Sequence, residues 1–220
     1  MIDIMAEDLL IDITIPLTEK TPVWPGDPFP ELTRIFSYEN GDHFQLSKLS
    51  FGLHTATHID APLHFIPGGK DISRLDISKM MGPVQLIDFS GATEITAAML
   101  EEQIIPGTKR VLFRTIHPGE DRNTVIDRPP YRALNEGAAH YLIKAGIELC
   151  GIDGMTIAVE GQLTEVHQLL LKEEIVIIEN LDLSVLSEGM YEILVLPMLI
   201  PGAEAAPARV LIKKSLHREE

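Results

Sequence analysis

Within the eleven residues His54-Thr55-Ala56-Thr57-His58-Ile59-Asp60-Ala61-Pro62-Leu63-His64 the chain places three of its eight histidines and one aspartate. Few patterns restrict a fold more, because the backbone period decides which of these side chains can meet. On a helix His54 and His58 would share a face, but Asp60 would point away from His58. In an extended chain His54, His58 and Asp60 all lie on one side. The β-branched Thr55, Thr57 and Ile59 favour the extended form. The helical HExxH zinc motif is the wrong comparison, since its glutamate is missing. A straight strand, however, carries four residues over ~13 Å, too far for two imidazoles to share one ion. A bend or bulge is therefore expected between His54 and His58, near the small Ala56. Pro62 should end regular pairing, and Pro67-Gly68-Gly69 should make the next loop.

The rest of the chain reads as mixed α/β. Strands are expected over 9–15, 32–38 and 43–51, the last two around the turn Asn40-Gly41-Asp42. Further strands are expected over 84–89, 110–115, 147–152, 175–179, 191–196 and 208–213. Helices are expected over 96–104, 131–145 and 164–172; in the second, Leu134, Ala138, Leu142 and Ala145 hold an apolar stripe, with Pro129-Pro130 before it and Gly146 after. Pro22, Pro25, Pro28 and Pro30 with Gly26-Asp27 make 21–30 a stiff, turn-rich loop. The polar stretch 116–130 reads as a flap beside the site. Strands crowd the first half and βα alternation fills the second. The expected architecture is a curved, barrel-like mixed sheet with helices packed outside, in one domain over residues 1–220.

Charge and cysteine usage exclude several functions. Eighteen Lys and Arg against 33 Asp and Glu leave a net charge of −15, which argues against nucleic acid and anionic membrane as partners. The single Cys150 rules out an intrachain disulfide framework and reads as a small buried hydrophobe. No apolar run reaches the ~18 residues that span a bilayer. With no secretory pattern visible, the expected location is the cytoplasm.

One segment rarely completes a metal site, so a distant contribution is expected. His167 falls on the predicted helix 164–172, and Glu179 ends the apolar run Ile175-Val176-Ile177-Ile178. A carboxylate at the end of a buried strand needs a partner, and a metal would serve. With His167 and Glu179 added to the first segment, the candidates exceed the three protein ligands of an ordinary catalytic zinc. They suit two ions with shared carboxylates, or one five-coordinate ion such as Mn²⁺. The all-nitrogen-and-oxygen donor set points to zinc or manganese.

Taken together, these residues resemble the metal-dependent cyclase/kynurenine formamidase family, whose hallmark is His-Thr-Gly-Thr-His-x-Asp-Ala-Pro-x-His. The chain departs from it only at Ala56, in place of Gly, which suggests a backbone angle open to an L-residue. The likeness extends upstream to Pro22-Val23-Trp24-Pro25-Gly26-Asp27-Pro28. Downstream it takes in Gly151-Ile152-Asp153, His167, Glu179-Asn180-Leu181-Asp182-Leu183, Leu196-Pro197 and the segment 202–211. The resemblance implies a swivelling β/β/α fold and a dimer or higher homo-oligomer. It implies that His54, His58 and Asp60 hold a first metal, with Asp60 bridging to a second. His167 would hold the second and Glu179 both. His64 would be the acid/base, and Trp24 the aromatic against the substrate. The implied cofactor is two zinc ions, with manganese as the alternative.

The expected reaction is hydrolysis of an aryl formamide, with N-formyl-L-kynurenine first and a cyclic aryl amide such as isatin second. A bound divalent ion makes water nucleophilic near neutral pH, and the imidazole of His64 titrates in the range where a proton can be shuttled. A catalytically silent binding module and a purely structural metal are the alternatives of another class. His43, His117, His140 and His217 receive no role.

Overall fold

The computed structural model describes residues 10–117, 119–122 and 130–214. Its central feature is a ring of seven strands. Their order is β10-β4-β8-β7-β6-β5-β9, with β9 pairing back onto β10 and the short β1 (Ile11–Asp12) added beside β10. β4 is His58–Asp60, β5 Met81–Asp88, β6 Arg110–Arg114, β7 Leu149–Ile152, β8 Val176–Glu179, β9 Gly189–Pro197 and β10 Ala205–Lys214. β5, β6, β7 and β8 are mutually parallel, and β4, β9 and β10 run antiparallel to their neighbours. Three helices make the parallel crossovers: α1 (Ala97–Gln103), α2 (Glu136–Ala145) and α3 (Leu163–Lys172). The mixed, barrel-like α/β reading of the sequence is thus correct. No helix of the described residues is long and apolar enough to cross a membrane.

Strand alternation divides the apolar residues into two cores. Ile59, Leu86, Leu112, Leu149, Val176, Ile178, Ile193 and Val210 pack together inside the ring. Val111, Phe113, Cys150, Ile152 and Ile177 face outward, against Leu100, Leu142, Val166 and Leu170 of the helices. Cys150 is fully buried, as a small hydrophobe should be, and burial pushes its thiol pKa up.

Two local expectations need correction, and a third is met in an unexpected place. The second helix starts at Glu136 and not at residue 131. Asn135 accepts a hydrogen bond from the Ala138 amide at 2.9 Å, a cap worth about 1 kcal/mol. Leu134, fully buried, is instead extended and bridges Ile95 and Ala158. The first strand is shorter than 9–15: within the described residues only Ile11–Asp12 and a bridge from Thr14 to Leu181 pair. The segments 32–38 and 43–51 do form a hairpin, β2 (Glu31–Phe36) with β3 (Leu46–Ser50), but it stands apart from the ring as its own two-stranded sheet. Of the predicted flap 116–130, residues 118 and 123–129 lie outside the described residues, as do Leu9 and His217.

Candidate metal centre and cavity

β4 and β8 lie side by side, with His58 opposite Glu179 and Ile59 opposite Ile178. Since Ile59 and Ile178 point into the ring, His58, Asp60 and Glu179 must point out of it, toward the helices. Helix α3 covers that face. Its buried stripe is Val166, His167, Leu170 and Leu171, so His167 is aimed at the carboxylates. Glu179 closes a parallel strand at its carboxyl end, the end where open α/β sheets bind ligands.

His54 arrives by a different route. The extended reading holds only from His58 onward; residues 54–57 are a turn, which delivers the expected bend. Ala56 sits at its centre with φ +56°. This is the left-handed region, which favours glycine but which an L-residue can also adopt, as Ala56 does here. The turn brings the His54 and His58 rings to 5.0 Å between centroids. It also places the Ala56 carbonyl 2.9 Å from Nδ1 of His58. Beyond Asp60, Pro62 opens a single 3-10 turn, Pro62–His64, which swings His64 back until its ring is 4.0 Å from that of His54. Gly69 seals this loop: a side chain there would meet the Pro62 carbonyl carbon at 2.8 Å.

The donor atoms fall into two sets. Those of His54, His58 and Asp60 lie within 4.8 Å of one another, as do those of Asp60, His167 and Glu179; Asp60 belongs to both. His54 Nδ1 is 3.0 Å from Asp60 Oδ1, His58 Nε2 3.4 Å from Glu179 Oε2, and His167 Nε2 3.2 Å from Glu179 Oε1. Backbone carbonyls set the tautomers. The carbonyl of Ala56 at His58 Nδ1, and of Leu163 at His167 Nδ1 (2.7 Å), can only accept. Both Nδ1 atoms therefore carry hydrogen, and both Nε2 atoms face the carboxylates. This is the arrangement in which a ligating imidazole is oriented through its other nitrogen.

Among the described residues, the buried Nε2 atoms of His54 and His58 and both carboxylate oxygens of Asp60 have no hydrogen-bond partner of proper geometry, close as His54 Nδ1 stands to Asp60. Such atoms in a buried cluster call for a cation. The pKa directions express the same demand. Burial disfavours the imidazolium of His58, yet Asp60 and Glu179 overcome it and push the pKa up to about 10. Burial opposes ionisation of Asp60, but His54 and His58 hold it well below the usual carboxylate range. Positive charge is what the two acids require, and imidazole with carboxylate is a donor set suited to a divalent ion of the zinc or manganese kind.

Beside this centre opens a cavity of about 340 Å³, with His54, His64, His167 and Glu179 on one wall. Trp24, Met155, Phe65 and Leu163 supply apolar wall, and Asp27, Thr156 and Thr164 polar wall. His64 is half-buried and belongs to neither donor set. Burial lowers its pKa, opposed by the charge of Asp60 and assisted by those of His54 and His167. Trp24 both lines the cavity and packs on Ile116 and Met155, with its ring 5.4 Å from that of Tyr131. The packing reading of this residue is met, and the same position also borders the cavity.

All seven residues singled out from the sequence converge here. Sequence reasoning missed Phe65, whose ring stacks on His167 at 4.6 Å, and Met155, Thr156, Leu163 and Thr164. Apolar wall residues carry no local signature, although Phe65 directly follows His64. His140 is exposed, as its place on the helix suggested, and pairs with Glu136 across one helical turn.

A profile of the family described as "Putative cyclase" matches residues 11–159. The kynurenine formamidase of Bacillus anthracis is 34% identical over 204 residues, covering 92% of this chain and 96% of that protein. That of Bacillus cereus is 36% identical over 205 residues with the same coverage. Among solved structures, a potential metal-dependent hydrolase with cyclase activity superposes with a TM-score of 0.77 at 30% identity, over 94% of this chain and 98% of the other. Isatin hydrolase A from Labrenzia aggregata shares the fold, with a TM-score of 0.82 at 23% identity over 94% of each chain. With the family profile and the formamidase relatives both spanning most of its length, the chain belongs to the cyclase family of metal-dependent hydrolases.

Proposed function

We propose that the protein is a metal-dependent hydrolase of aryl formamides, acting first of all on N-formyl-L-kynurenine and releasing L-kynurenine and formate. The observation that carries this reading is the pair of donor sets sharing Asp60, with an unengaged imidazole, His64, on the wall of the adjoining cavity. Curated relatives over nearly the whole chain are kynurenine formamidases, which supports the choice of substrate.

His54, His58 and Asp60 would hold one ion, and Asp60, His167 and Glu179 a second; zinc is the proposed metal and manganese the alternative. When bound, a divalent ion supplies Lewis acidity toward the formyl oxygen and eases loss of a proton from water. The remaining work falls to the chain. Trp24, backed by Tyr131, presents a flat aromatic face to the aryl ring. Phe65, Met155 and Leu163 keep bulk water from the reacting carbon. A neutral imidazole nitrogen of His64 accepts the proton of the attacking water as the C–O bond forms. It returns that proton to the aryl nitrogen as the C–N bond breaks, so the amine leaves neutral.

The test uses the metal-loaded protein. The wild type should carry two ions per chain and release formate from N-formyl-L-kynurenine faster than it opens isatin. His64→Ala should retain the metal and lose turnover by ~10²–10⁴-fold. Full activity in that variant would remove the acid/base role, and a wild type inert toward aryl formamides and isatin alike would leave a binding module.

We also propose a homo-oligomer in the cytoplasm. The β2–β3 hairpin supports the first part. Leu32, Ile35, Phe36, Phe44, Leu46 and Leu49 are all exposed on it, and an isolated two-stranded sheet is barely stable in water. A single, unpaired cysteine suits a reducing compartment.

A further inference from the structure

Trp24-Pro25-Gly26-Asp27 is one hydrogen-bonded turn, in which the Asp27 amide donates to the Trp24 carbonyl at 2.9 Å. Proline at its second position and Gly26 at its third, with φ +99°, are the requirements of a type II turn. The first and last residues of this rigid unit both line the cavity beside the metal-binding side chains. The aromatic ring and the carboxylate are therefore offered to one ligand at a set separation. The unit is held down at Trp24 by Tyr131, Ile116 and Met155.

Asp27 differs from every other acid on that wall. Glu179 is engaged with His58, His167 and the Ile157 amide. Asp27 is half-buried, and among the described residues its carboxylate has neither a hydrogen bond nor an ion pair. No lysine or arginine is among the described lining residues. Among the described lining residues, a ligand that reaches past the metal-binding side chains thus meets the carboxylate of Asp27 and no basic side chain. A partly desolvated carboxylate gains most from a cationic N–H donor.

We propose that Asp27 is a specificity-determining residue that recognises an ammonium group on the substrate. The site then takes an aryl formamide carrying a charged amino group, as the formylated amino acid does, in preference to a neutral aryl amide. This inference rests on the formamidase reading and narrows it. It assigns the carbonyl end to the histidine wall and the amino end to the Trp24–Asp27 turn.

Three substrates separate the contributions: N-formyl-L-kynurenine, its decarboxylated amine analogue, and formanilide, which has no amino group. The wild type should favour both amines over formanilide in kcat/KM. Asp27→Asn keeps the shape and the backbone turn, and should reduce that preference roughly tenfold, mainly through KM. Asp27→Glu should restore part of it. A preference unchanged in Asp27→Asn would overturn the proposal, as would an equal loss on all three substrates. Binding gives an independent readout, because Trp24 is the only tryptophan. Quenching of its emission by L-kynurenine should need roughly tenfold more ligand in Asp27→Asn, whereas quenching by 2-aminoacetophenone should not shift. Equal kynurenine affinities in the two proteins would overturn the ammonium contact even if no formamide were hydrolysed, so failure of the reaction and failure of the contact are told apart.

Discussion

Ala56 shows how much one backbone angle decides. Its left-handed conformation turns the chain between His54 and His58 and aims its own carbonyl at His58 Nδ1. The family motif has glycine there, and alanine, unbranched at Cβ, takes the angle at a modest cost. For Ala56→Gly the terms nearly cancel: relief of about 1 kcal/mol of strain is offset by a buried methyl and by added unfolded-state freedom of similar size. Stability and zinc affinity should both stay close to wild type. Ala56→Val puts a β-branched side chain at positive φ and should cost about 2–3 kcal/mol, with weaker zinc binding. Urea unfolding and competition with a zinc chelator would measure both; a valine variant equal to wild type would contradict the role of the turn. The motif made the ligands legible, as types and in order. The angle at residue 56 was not, because spacing demands a bend without saying which torsion makes it.

At the scale of elements, the carboxyl ends of the parallel strands are stabilised by charge. Asp88 and Arg114 end β5 and β6 in register. Arg114 is buried and donates to both the Asp88 carboxylate and the Leu186 carbonyl. Burial opposes ionisation of Asp88, but the Arg114 guanidinium and the Ser90 amide hold its pKa down at about 2, against an ordinary 3.8. A depressed carboxylate stabilises the fold above its unfolded pKa, and the contribution is lost as pH falls toward the folded pKa. The pair should contribute about 2 kcal/mol at neutral pH, declining between about pH 5 and about pH 2. Urea midpoints of wild type and Asp88→Asn should converge across that window; a gap independent of pH would show that Asp88 acts through packing alone. The elements themselves were largely readable, since period and turn residues are local. The second helix was overextended because Leu134 fits a helical stripe as well as a buried bridge. Only the Asn135 cap and the neighbours Ile95 and Ala158 separate the two.

At the scale of the whole molecule, the closed ring and the detached hairpin point to different roles. The ring has its edges paired and its apolar residues inside or under helices. The hairpin pairs Leu32 with Leu49 and Phe36 with Leu46 and leaves all four exposed. A second copy covering them should make the wild type at least dimeric at micromolar concentration by light scattering. Phe36→Ser with Leu49→Ser should yield monomer with near-native circular dichroism. A wild type already monomeric, or a double variant still dimeric, would place any interface elsewhere.

By itself the sequence determined which atoms are available for chemistry, their order along the chain, and the alternation of strand and helix, because residue identity and period are properties of neighbours in the chain. It also required a second contribution to the site from far along the chain. Only the tertiary structure decided that β4 lies beside β8, with His58 facing Glu179 outside the ring and under α3. Only there did His64 and the Trp24–Asp27 turn come to share one cavity. Strand pairing joins residues more than a hundred positions apart through backbone groups that are the same in every residue, so the choice of partner rests on which closure buries both cores at once.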